Sequence, residues 1–125
     1  MLMNTRSRIN LGKYGEDLAC HYLQGQGYEI LARNFRCHRF GEIDIIARKR
    51  SVISFIEVKT RSSTRFGRPI EAVTVMKQRK IHRCAEYYLQ CAGLINHMPM
   101  LSFDVVEIIL QGSAVLQLQH HPHCF

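Results

Sequence analysis

Two neighbouring stretches constrain this chain most: Phe40–Ala47 (FGEIDIIA) and Val52–Thr60 (VISFIEVKT). Both are dense in Ile, Val and Phe, as central, buried strands are. The polar link Arg48–Ser51 joins them as a hairpin. So apolar a hairpin belongs inside a covered sheet, and the flanking segments supply the cover. Leu11, Leu18 and Tyr22 recur at helical spacing up to about Gln24, where Gly25 and Gly27 stop the helix. Glu71–Ala92 reads as a long helix, with Pro69 at its entrance and Gly93 at its end. Tyr28–Arg36, Leu101–Leu110 and Ala114–Gln119 read as further strands. The order is helix, three strands, helix, two strands, which predicts an α/β sandwich around a mixed central sheet. The length of 125 residues fits one domain, 1–125, with 1–10 and 120–125 as flexible ends.

The hairpin carries charges where its apolar character makes them costly. Strand side chains alternate faces, so Glu42 and Asp44 share one face and Glu57 and Lys59 share one face. Paired as a hairpin, Asp44, Glu57 and Lys59 converge. Two buried carboxylates side by side are desolvated and repel each other. A divalent cation resolves both problems, and clustered oxygens suit Mg²⁺ or Mn²⁺. Beside such a cation, Lys59 can orient a water and offset charge on a phosphate. The ordinary alternative is a cross-strand ion pair on an exposed face. Glu16, on the first helix, lies at the border of the apolar arc. It either reaches the sheet or is a solvated acid complementing the helix dipole.

The surface charge is lopsided. Seventeen Lys and Arg against ten Asp and Glu give +7 and a pI near 9.5. All seventeen lie between Arg6 and Arg83, and from Cys84 onward there are only three acids and no Lys or Arg. A domain this basic points to a polyanionic partner. Arg61, Arg65 and Arg68 follow the Glu57 strand in a loop rich in Ser and Thr. Arg36 and Arg39 precede the Asp44 strand. Lys77 falls on the sheet-facing arc of the second helix, and Arg79, Lys80 and Arg83 form a ridge beside it. Each alone reads as a solvated charge, and the cluster carries the inference. No apolar run approaches membrane-spanning length and no export signal is read, so a cytoplasmic protein with reduced thiols is expected. The Cys and His pairs lack zinc spacing. Cys84 and Cys91 read as core, and the His120–Cys124 cluster as a frayed tail.

Taken together, Gly12, Gly15-Glu16, Ala19, Tyr22-Leu23, Gly27-Tyr28, Ile30-Leu31, Asn34-Phe35-Arg36, Gly41–Asp44, Glu57–Arg61, Phe66-Gly67, Lys77 and Phe103–Val106 form a recognisable pattern. It resembles the bacterial YraN-type family of uncharacterised proteins, related to archaeal Holliday junction resolvases of the PD-(D/E)xK, restriction endonuclease-like superfamily. The match covers roughly residues 11–108. The resemblance implies an αβββαβ nuclease core. Asp44 and Glu57 would bind the metal, with the Val58 carbonyl as an additional ligand. Lys59 would be the catalytic lysine, and Glu16 would match the helix acid of the resolvase-like branch, as a third metal ligand. The late strand departs from the pattern, with Ser102 where Arg is expected before Phe103-Asp104.

These observations lead to a metal-dependent, structure-selective DNA endonuclease using Asp44, Glu57 and Lys59. A branched substrate with two-fold symmetry would favour a homodimer. One alternative is a non-catalytic nucleic-acid-binding protein that retains a nuclease fold. Another is a protein-interaction module docking through the acidic, apolar last third.

Overall fold

The structure is a computed structural model. It describes residues 5–62, 71 and 73–125, with side chains from Leu11 onward. Arg65, Arg68 and the Pro69 helix entrance lie outside the described residues.

Helix α1 runs from Thr5 to Gly25, and strand β1 from Glu29 to Arg36. A single 3-10 turn, His38–Phe40, leads into β2 (Glu42–Lys49) and β3 (Val52–Arg61). Helix α2 (Val75–Cys91) then crosses to β4 (Met100–Gln111) and β5 (Ala114–His121). The sheet order is β1-β2-β3-β4-β5. Among these strands only β3 and β4 are parallel, because α2 supplies the crossover that parallel strands require. This is the expected α/β sandwich with an αβββαβ core.

The sheet buries both faces. On one side Ala19, Cys20 and Leu23 of α1 pack on Ile45, Ala47, Ile56, Val106 and Ile108. On the other, Ile81, Cys84, Ala85 and Leu89 of α2 pack on Ile43, Ile46, Phe55 and Val105. Both helices end alike. Gly27 (φ 94) and Gly93 (φ 71) take left-handed backbone. The following amides then reach back, Tyr28 N to Leu23 O and Leu94 N to Leu89 O. These bonds satisfy carbonyls that a helix end leaves free. Gly15 does something different. A Cβ there would come within 2.0 Å of Thr60 Oγ1, so its lack of a side chain lets α1 lie directly on β3.

Three expectations need correction. The second helix begins at Val75, not Glu71, because the Thr74 side chain accepts from Lys77 N at 3.1 Å and sets the cap there. Cys91 is exposed, although Cys84 is buried. The last strand also runs past the expected Gln119, to His121. Helix α1 reaches back to Thr5, and the C-terminal residues are docked. Fully buried Asp104 accepts from the Ser102 hydroxyl, pairs with His120 Nε2 at 2.6 Å and accepts from His123 N at 3.2 Å. Cys124 N donates to Phe103 O at 2.7 Å, and the Phe125 ring lies 5.8 Å from that of Phe103. A buried carboxylate needs such partners. Ser102 therefore serves the Asp104 network at the place where the family pattern suggests Arg.

Candidate active site

The site lies where β2 and β3 part. Their pairing runs from Lys49↔Val52 to Ile45↔Ile56 and stops there. Beyond it, β2 stays with β1 as far as Arg36↔Glu42, and β3 stays with β4 as far as Arg61↔Ile109. Asp44 and Glu57 are the first residues past the last pair. The Val58 amide, left without a β2 partner, donates to Asp44 Oδ2 at 2.8 Å.

Glu57 is only 6% exposed. Its Oε1 faces two ammonium groups, Lys59 Nζ at 3.5 Å and Lys77 Nζ at 3.9 Å. Its Oε2 is buried and has no hydrogen-bond partner among the described residues. Burial and the neighbouring Glu57 charge push the Asp44 carboxyl up to about 7, against the Val58 hydrogen bond and the Lys77 charge. Asp44 and Glu57 are thus held together at a cost that neither lysine removes. An orphaned carboxylate oxygen beside a strained carboxylate is a donor set suited to a hard cation. Among the described residues, no group of three or more His, Cys, Asp and Glu is gathered to hold a metal alone. Mg²⁺ does not demand one, since it commonly binds through one or two carboxylates and keeps several waters.

Glu16 has polar partners of its own. Its carboxylate lies 3.9 Å from Arg33. The Asn34 amide, turned with its nitrogen toward Glu16, donates to both carboxylate oxygens at 3.3 and 3.2 Å. Burial, reinforced by the Asp44 charge, holds the Glu16 carboxyl above its ordinary value. Glu16, Arg33 and Asn34 line an open cleft of about 570 Å³ with Gly12 and Lys13. Sequence reasoning missed Arg33, which also binds Asp17 at 2.6 Å, and the tie to Glu16 of Asn34, whose backbone is left-handed (φ 50). The available hint was residue type, since Asn tolerates that backbone better than most.

The cationic residues divide into groups. Lys77 enters the site. Arg61 pairs with Glu107 at 3.6 Å, with both side chains largely buried. Arg36, exposed, contacts Glu42 at 3.3 Å. Arg39 and Lys80 are exposed, and Arg83 lies over the Phe40 ring at 5.2 Å. Among the described residues, no helix is long and apolar enough to cross a membrane.

Fold and geometry together define a protein with a restriction endonuclease-like core, its paired acids and lysine standing where two central strands part. The chain belongs to the uncharacterised protein family UPF0102, whose model matches residues 15–108. It is 52% identical over 99 residues to a UPF0102 protein of Clostridium perfringens strain 13, covering 79% of each chain. It is 50% identical over 108 residues to a UPF0102 protein of Caldicellulosiruptor saccharolyticus, covering 86% of each. A UPF0102 protein of Clostridium acetobutylicum is 50% identical over 99 residues, covering 79% of each.

Proposed function

We propose that this chain is a Mg²⁺- or Mn²⁺-dependent phosphodiesterase that cuts DNA of particular structure, in the manner of Holliday junction resolvases. One observation carries the reading: among the described residues the buried Glu57 Oε2 has no hydrogen-bond partner, while the Glu57 charge helps push the nearby Asp44 carboxyl up. Asp44 and Glu57 would hold the cation. When bound, it acidifies a water and offsets charge on the phosphate. Lys59, a third exposed and 3.5 Å from Glu57 Oε1, would hydrogen-bond the attacking water or a phosphate oxygen. The Val58–Asp44 hydrogen bond fixes the carboxylate so that it need not reorganise during reaction. Arg36, Arg39 and Lys80, with Arg65 and Arg68 of the sequence, would grip the DNA backbone, which positions without specifying sequence. A homodimer in the cytoplasm would match a two-fold branched substrate.

The test compares wild type with Asp44→Ala on labelled linear duplex, flap and four-way junction, in Mg²⁺, Mn²⁺ and EDTA. Metal-dependent cleavage lost in the variant is expected. Equal cleavage by both proteins would discard the site. A second reading, a nuclease fold that only binds nucleic acid, draws on the absence of a three-ligand cage among the described residues. It predicts no cleavage by wild type, and binding by Asp44→Ala that is equal or tighter.

A further inference from the structure

Lys77 occupies a helix position that disfavours it. With Thr74 as N-cap, Lys77 is the third residue of α2, and its amide donates to the Thr74 side chain. That position favours Glu or Gln, whose side chain reaches back to the cap. The helix dipole there favours negative charge. The first turn of α2 has no acid. A lysine placed against the preference of its own helix calls for an explanation elsewhere, and its ammonium lies 3.9 Å from Glu57 Oε1.

Serving as a counter-ion to Glu57 is an insufficient explanation. Lys59 already stands 3.5 Å from the same oxygen. Among the described residues, two ammonium groups crowd Oε1 while buried Oε2 has none. An arrangement built only to neutralise Glu57 would share the lysines between its oxygens. The charges suggest another purpose. Asp44 and Glu57 together match Lys59 and Lys77. A divalent cation taking the carboxylates leaves both lysines with positive charge to spare, facing the place where an anion must sit.

We propose that Lys77 binds the phosphodiester being cleaved, released from Glu57 when a divalent cation takes that carboxylate. This rests on the phosphodiesterase reading and adds to it the substrate group that Lys77 contacts. Lys77 is a point charge with three donors, and phosphate oxygens accept from it without demanding the planar fork of Arg. Lys59 keeps the water, and Lys77 keeps the phosphate.

The proposal predicts effects of opposite sign on two ligands. Lys77→Ala removes a charge that competes with the cation, so Mn²⁺ binding by calorimetry, without DNA, should tighten about threefold. The same variant loses a phosphate contact. Anisotropy of a labelled four-way junction in Ca²⁺ should show about tenfold weaker binding and a salt slope shallower by about one. Lys77→Arg should restore most of the DNA affinity. Lys77→Gln, which keeps most of the stem, should repeat the Ala result and guards against a folding defect. Weakening of both ligands together would mean a merely structural lysine and overturn the assignment, as would unchanged DNA affinity. Wild-type protein that binds neither Mn²⁺ nor DNA would overturn the phosphodiesterase reading itself, and Lys77's role with it.

Discussion

The Val58 amide and the Asp44 carboxylate are joined by a 2.8 Å hydrogen bond at the point where β2 and β3 separate. The bond replaces the ladder hydrogen bond that Val58 has lost. Asp44→Ala therefore removes more than a negative charge, because it strands a partly buried amide. Against Asp44→Asn, whose amide oxygen still accepts, Asp44→Ala should be less stable by about 1–3 kcal/mol in urea melts. Both should lose metal-dependent cleavage. Equal stability of the two would mean that water replaces the carboxylate at Val58.

Asp44 also sets a pH dependence in the metal-free chain. Its carboxyl stands at about 7 when folded, against an ordinary 3.8. Folding therefore takes up a proton between those values, and this group's contribution falls as pH rises from the lower value through the upper. In EDTA, Asp44→Asn should melt above wild type at about pH 8, with the difference closing toward about pH 4. Thermal melts across that range decide the matter. A constant offset between the two proteins would contradict the raised value.

Gly15 tests the seating of α1. Alanine is ordinarily worth about 1 kcal/mol over glycine within a helix. Here its Cβ would meet Thr60 Oγ1 at 2.0 Å. Gly15→Ala should destabilise by about 1–3 kcal/mol. Adding Thr60→Ala should recover a large part of that loss, a non-additivity that a double-mutant cycle reads directly.

His120 should matter more than a terminal histidine usually does. It is a close partner of fully buried Asp104. His120→Ala should cost about 3 kcal/mol by chemical denaturation. The loss should be much smaller in an Asp104→Asn background, where no buried charge is left uncompensated.

The hairpin and the acid–lysine constellation were legible because charges stand out in apolar strands, and because strand alternation fixes which residues meet. Lys77 was legible from the helical arc it shares with Ile81 and Cys84. The start of α2 was not, since Pro69 points to an earlier entrance and only the folded chain shows Thr74 capping Lys77 N. The docking of the C-terminus was hidden for a different reason. Asp104 and His120 are brought together by β4–β5 pairing, and a run of His at a chain end carries no local sign of a distant carboxylate. Arg33 was passed over, and Asn34 entered only as one residue of the family pattern. Their meaning depends on Glu16, which another element supplies.

The early end of β2–β3 pairing has a bearing on how this fold can change over generations. Asp44 and Glu57 meet only because the two arms keep the same count back to the turn at Arg50 and Ser51. Residues added at the turn leave that count intact. One residue added inside a single arm would send one carboxylate through to the opposite face of the sheet. A hairpin of this kind works as a reading frame. The sandwich can survive a slip that parts the two carboxylates, so descendants with the same silhouette and no acid pair lie a single codon away.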